Sequence, residues 1–204
     1  MSNHPEADIR ETSKLIREAV VKALAEFRSA PGGEFYGLSL IMHPVGGLVG
    51  AAFATDTTLE RAVTRCEQLG YSVRSGDLRS ALRDLVRWNC ESGWLLVTAP
   101  FAQANASTRA VMAKDQDPDG LAAARLVHGL CTVALLEADW NGAFGVGAAR
   151  ERITLNIWYG DQSTEDLLSW ARPMNPHDVW LRLQEQLQAR KAADARLVPP
   201  RLTS

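Results

Sequence analysis

The sequence predicts an α+β fold: a small, mainly antiparallel sheet packed with five or six helices. Two observations carry the helices and the sheet. Apolar residues recur at three and four positions along most of the chain, and short segments at Phe35–Met42 and Ile153–Tyr159 alternate with period two instead. A third, Leu48–Ala54, is small, apolar and uncharged, as a strand covered on both faces must be.

The elements follow in order. From Ile9 to Phe27 the set Leu15, Ile16, Ala19, Val20, Ala23, Leu24 and Phe27 marks an amphipathic helix that Pro31-Gly32-Gly33 stops. Phe35–Met42 and Leu48–Ala54 form a hairpin around the turn-rich His43–Gly47. Thr57 and Glu60 have capping-box spacing, and Leu59, Val63, Cys66 and Leu69 continue as a helix to Gly70. Ser75–Leu78 opens a further helix that turns Leu78, Leu82, Leu85 and Val86 inward. Trp94–Thr98 is too short for periodicity to separate strand from helical turn.

Leu121–Asp139 carries only Arg125, Glu137 and Asp139 as charges, so most of its circumference should be covered, as in a central helix. A glycine-rich turn at Asn141–Gly147 precedes the strand Ile153–Tyr159. Ser163 caps a helix through Trp170, and Asn175 caps a last helix with Pro176 at its first position, burying Val179, Trp180, Leu183 and Leu187. Periodicity ends near Arg190. One domain over 1–190 and a flexible tail over 191–204 are therefore expected.

Composition narrows the function classes. The 204 residues carry 22 basic and 24 acidic side chains, for a formal charge of −2, which leaves no electrostatic footprint for nucleic acid or an anionic membrane. Hydrophobic residues make up 46%, enough for a core, and no apolar run approaches the ~20 residues of a membrane span. The first residues have neither the basic start nor the apolar stretch of a signal peptide. Three cysteines, Cys66, Cys90 and Cys131, fit no disulfide framework or zinc knuckle. A reducing, cytoplasmic setting is expected.

Candidate chemistry is sparse. Asp115, Asp117, Asp119 and Gly120 begin like a calcium loop, but the ninth and twelfth positions are Ala123 and Leu126, which supply no side-chain oxygen. These carboxylates suit a helix N-terminus instead. Gly142, Gly145 and Gly147 follow a helix and precede a strand, the reverse of a phosphate loop. His128 and Cys131 share a helical face in apolar surroundings, which favours packing over nucleophilic chemistry. Arg61, Arg65, Arg74, Arg79, Arg83 and Arg87 are interleaved with Glu60, Glu67, Asp77 and Asp84, the pattern of a solvated, ion-paired face. No catalytic residue, metal ligand or cofactor is nominated.

The six tryptophans offer a different lead. Trp158 lies on the strand face opposite Ile157 and Tyr159, near Asp161. An open face there would make an aromatic-plus-acid patch suited to a protein partner, whereas a covering helix would make Trp158 core.

Read in order, Gly142-x-Phe144-Gly145, Arg152-Ile-Thr154-Leu155-x-Ile157-Trp158-x-x-Asp161 and Met174-Asn175-Pro176-x-x-Val179 form a series. With Arg87-Trp88 followed by Trp94, and the Phe35–Leu40 strand behind an amphipathic first helix, the series resembles the bacterial domain-of-unknown-function family 4303. The likeness spans about Leu15 to Leu187. It departs at Met174, where leucine is expected, and in the alanine-rich Leu48–Thr55.

The resemblance implies an immunity-type protein, uncatalytic, that neutralises a cognate toxin domain by direct occlusion. Arg87, Trp88, Trp158 and Asp161 are the expected partner-binding residues, with no nucleic acid or membrane involved. The competing expectation is an enzyme or small-ligand protein with a pocket near the central helix, around Asp115, Asp117, Asp119 and His128. A homo-oligomer closed by surplus apolar surface is the third.

Overall fold

The computed structural model describes residues 5–30, 33–43, 47–89, 93–113, 121–160 and 162–200. Helix α1 (Pro5–Ser29) is followed by the antiparallel hairpin β1 (Gly37–His43) and β2 (Gly47–Ala54), paired from Gly37 opposite Ala54 to His43 opposite Gly47 with a register shift between Ile41 and Met42. Then come α2 (Asp56–Gln68), the two-residue β3 (Ser72–Val73), α3 (Leu78–Val86) and β4 (Leu95–Val97). A 3-10 turn at Ala99–Phe101 leads into α4 (Ala102–Met112), α5 (Leu121–Trp140), the single turn α6 (Ala148–Glu151) and β5 (Thr154–Tyr159). The chain continues through α7 (Thr164–Ala171), a 3-10 turn at Arg172–Met174, α8 (His177–Arg196) and β6 (Leu197–Val198).

The fold is α+β, with a main sheet in the order β4-β2-β1-β5 and a separate β3-β6 pair. Within the main sheet β1 pairs antiparallel with β2 and β2 with β4, while β1 and β5 run parallel. A parallel neighbour needs a long crossover, and the chain between β1 and β5 supplies it.

Both faces of β1, β2 and β5 are covered, so alternation along these strands sorts residues between two apolar layers and not between core and water. Leu38, Leu40, Leu155 and Ile157 face α1 and α5, where they join Ile16, Val20, Leu24 and Leu135. Each such burial contributes roughly 1.5–3 kcal/mol. On the opposite face Trp88, Trp94 and Trp158 pack with Leu167 of α7 and Leu183 and Leu187 of α8. A third cluster joins α2 and α3 to the end of α8 through Leu59, Val63, Leu82 and Ala193.

Several elements depart from expectation. The capping box of α2 uses Thr55 and Thr58, two residues earlier than Thr57 and Glu60: Thr58 N donates to Thr55 Oγ1 and Thr55 N to Thr58 Oγ1, both at 3.0 Å. Eight α-helices occur among the described residues, because α4 and α6 join the six read from periodicity. Helix α4 has no broad apolar stripe, and tertiary bonds hold it: Thr12 and Ser107 hydroxyls meet at 2.7 Å, and Leu48 N donates to Thr108 Oγ1 at 3.1 Å. Trp94–Thr98 contains β4.

The tail expected from residue 191 is ordered structure as far as Pro200. Helix α8 runs on to Arg196 with Ala193 buried, and β6 pairs Leu197 with Val73. Two widely spaced anchors, Ala193 and Leu197, are too few to register as a period, yet the α2–α3 face provides them with a partner. Asn175 also has a different role, because α8 begins at His177 without a side-chain cap.

Candidate functional site

Of the four expected partner residues, the three that are described do not form an open surface. Trp88 and Trp158 are interior, at 2% and 8% exposure, because α7 and α8 cover their face of the sheet. Trp88 donates from Nε1 to Gln186 Oε1 at 3.0 Å and packs edge-on against Tyr36 and Trp94. Its ring lies so close to β1 that a Cβ on Gly37 would come within 2.9 Å of it. Arg87 is half-buried, with its guanidinium 4.9 Å from the centre of the Tyr36 ring. Asp161 lies outside the described residues.

Two polar side chains beside β5, Arg150 and the motif residue Asn175, have structural partners. Arg150, almost fully buried, donates from Nη1 to Ile153 O at 2.6 Å and from Nη2 to Met174 O at 2.8 Å, while Nε engages the Asp139 carboxylate. Asn175 acts as a short strand at the sheet edge: Leu155 N donates to its Oδ1, and its Nδ2 donates to Leu155 O, both at 2.8 Å. The same Nδ2 reaches Ala171 O at 2.7 Å. An edge strand with free amides is a template for unwanted pairing, and this amide occupies part of it. These polar groups are spent on holding β5 in place.

His128 and Cys131 do not form a nucleophilic pair. Cys131, on the core side of α5, is wholly buried, and burial pushes its thiol up to about 12, where it is inert. The His128 ring lies 4.3 Å from that of Trp170, tilted, and its buried Nε2 has no hydrogen-bond partner among the described residues. Desolvation lowers its pKa, so the neutral ring is favoured. Asp115, Asp117 and Asp119 lie outside the described residues. No cluster of three metal-ligating side chains occurs among the described residues. The expected ion-paired face is present: Arg79 bridges Glu60 and Glu67 with 2.7 Å contacts to each.

What sequence reasoning missed is the outer side of α5. The near absence of charge predicted a helix covered on most sides, but α1, α4 and the sheet enclose only one. Leu126, Val133 and Leu136 stay exposed, and Trp140 at the helix end is 92% exposed. Leu126, Gly129, Val133, Leu136 and Trp140 succeed each other at alternating three- and four-residue steps, the spacing of a helix seam that meets another helix. The signal was in the sequence. Periodicity does not say which apolar stripe a fold leaves open.

Beside this stripe, α1 and α5 enclose an open groove of about 540 Å³. Leu126, Leu130 and Val133 form its α5 side, and Arg10, Lys14 and Arg17 line it from α1. Arg17 donates to Glu137 Oε2 at 2.9 Å across the groove. Beyond that bridge Val21 on α1 and Trp140 on α5 are both exposed.

Comparison with known proteins finds no matching family model, no similar curated protein and no similar solved structure. No helix among the described residues is long and apolar enough to cross a membrane.

Proposed function

We propose that this chain is an immunity-type binding protein, acting in the cytoplasm, that neutralises a cognate bacterial toxin domain by covering it. One observation carries the binding reading: the outer face of α5 keeps an aligned apolar stripe, ending in Trp140, in contact with water. A monomer gains by burying such residues, and an exposed contiguous stripe marks a contact site. Tryptophan is enriched among residues that dominate interface energies. The toxin as partner rests on the ordered motif series described above, and occlusion requires no catalytic constellation.

This surface replaces the Trp158 patch as the contact site, since Trp88 and Trp158 are packed beneath α7 and α8. The test is affinity capture from the source bacterium with the tagged chain, beside a Val133→Asp/Trp140→Ala variant. A captured polypeptide whose toxic activity is blocked stoichiometrically by the wild type, and which the variant fails to hold, supports the reading. Equal capture and neutralisation by the variant would remove α5 from the interface.

A further inference from the structure

We infer that the α1–α5 groove receives an acidic amphipathic helix of the partner protein, laid lengthwise with its apolar side down. This rests on the binding-protein reading and adds the chemistry of what is bound.

Shape is the first argument. The α5 wall runs from Arg125 to Glu137, about 18 Å at 1.5 Å per residue, or roughly three helical turns. A groove of this form between two helices receives a third helix through anchors at i, i+3, i+4 and i+7. Leu126, Leu130 and Val133 give those anchors an aliphatic floor. Gly129 interrupts the floor, and a Cβ built there would meet no atom within 4 Å. The glycine leaves a notch in which an apolar anchor side chain fits.

Charge is the second. Among the described residues lining the groove, Arg10, Lys14, Arg17 and Arg125 stand against one carboxylate, that of Glu137, a local positive surplus on a chain of formal charge −2. Arg17 is engaged by Glu137, and Lys14 leans towards Glu11 at 3.7 Å, a surface pair of small energy. Arg10 and Arg125 are exposed and make no ion pair with a described residue. Cations flanking an apolar floor match a helix with leucine-like residues on one side and carboxylates along both margins.

The same charges argue against the other occupants. A second copy would bring two basic grooves together around a twofold axis, where like charges repel. Single-stranded nucleic acid would find cations but, among the described residues lining the groove, no aromatic ring on which to stack a base.

The test uses the full chain and fluorescein-labelled helical peptides with leucine at i, i+3, i+4 and i+7, carrying either glutamate or lysine elsewhere, plus a labelled single-stranded oligonucleotide. At low salt the glutamate peptide is expected to bind at least about tenfold tighter than the lysine peptide, the difference shrinking as salt is added. Arg10→Glu with Arg125→Glu should reverse that preference, and Val133→Asp should weaken both, with circular dichroism confirming that each variant folds. Equal binding of the two peptides, no binding of either, stronger binding of the oligonucleotide, or a dimer that loses its stability on Val133→Asp would each overturn the acidic-helix inference. Toxin capture that still depends on Val133 and Trp140 after such a result would leave the binding-protein reading intact; loss of that dependence would end both.

Discussion

Arg150 grips Asp139 with a single nitrogen: its Nε lies 2.7 and 2.8 Å from the two carboxylate oxygens. The remaining guanidinium nitrogens close on Ile153 and Met174 carbonyls, so the end of α5, the start of β5 and the turn before α8 share one side chain. Arg150→Met is expected to destabilise the fold by about 3–5 kcal/mol, because it leaves a carboxylate and two carbonyls without their donor. Arg150→Lys should recover only part, since an ammonium lacks the planar fork. Urea unfolding monitored by circular dichroism checks both.

Asn175 offers a finer test of the same corner. Asn175→Asp keeps the acceptor for Leu155 N but loses the Nδ2 that serves Leu155 O and Ala171 O. Asn175→Ala loses all three bonds and should cost about 1–3 kcal/mol. Hydrogen exchange at the Leu155 amide should quicken in Asn175→Ala and remain slower in Asn175→Asp. Equal exchange in the two would show that the acceptor has no part in protecting that strand.

Much of this arrangement was legible from residue order. The helical stripes of α1, α2, α3 and α5, the hairpin, and β5 follow from periods of 3.6 and 2, and Ser163 caps α7 as expected, its Oγ accepting from Asp166 N at 3.1 Å. The site was less legible, for one physical reason: a period shows that a stripe is apolar, not what lies over it. Trp158 sits on a face that α7 and α8 cover, whereas the apolar outer face of α5 has no such cover. Asn175 looked like a helix cap because Asn-Pro is a good one. A strand edge competed for its amide and prevailed, with two bonds in place of one.

His128 makes stability pH-dependent. Its folded pKa is lowered from 6.5 by desolvation, so the unfolded chain binds the proton more tightly. The neutral ring's contribution is present above the unfolded value and is lost as pH falls through the folded one. His128→Phe should therefore flatten the decline in stability between about pH 7 and pH 5. An unchanged slope in that variant would assign the acid sensitivity to other groups.

Gly50 holds β4 close to β2. A Cβ there would stand 2.5 Å from Val97 O, a backbone atom that moves only with its strand. Gly50→Ala is expected to cost about 1–3 kcal/mol and to speed amide exchange across Leu95–Val97. Protection retained on β4 would mean that the strand shifts as a unit without losing its pairing.

Trp140 should be visible in the native emission spectrum. As the most exposed tryptophan among the described residues, it contributes the reddest and most quencher-accessible component. Trp140→Phe should remove most of the fast acrylamide quenching and change stability by no more than about 0.5 kcal/mol. A glutamate peptide seated in the groove should shield the same component.

Helix α8 belongs to two interiors at once. Leu183 and Leu187 pack under the sheet with Trp88, Trp94 and Trp158, and Ala193 with the following Leu197 completes the α2–α3 cluster. Melting either interior frees the helix that walls the other, so the two share a single cooperative transition. Calorimetric and van't Hoff enthalpies should then coincide, and a chain cut after Arg190 should lose the coincidence before it loses the sheet.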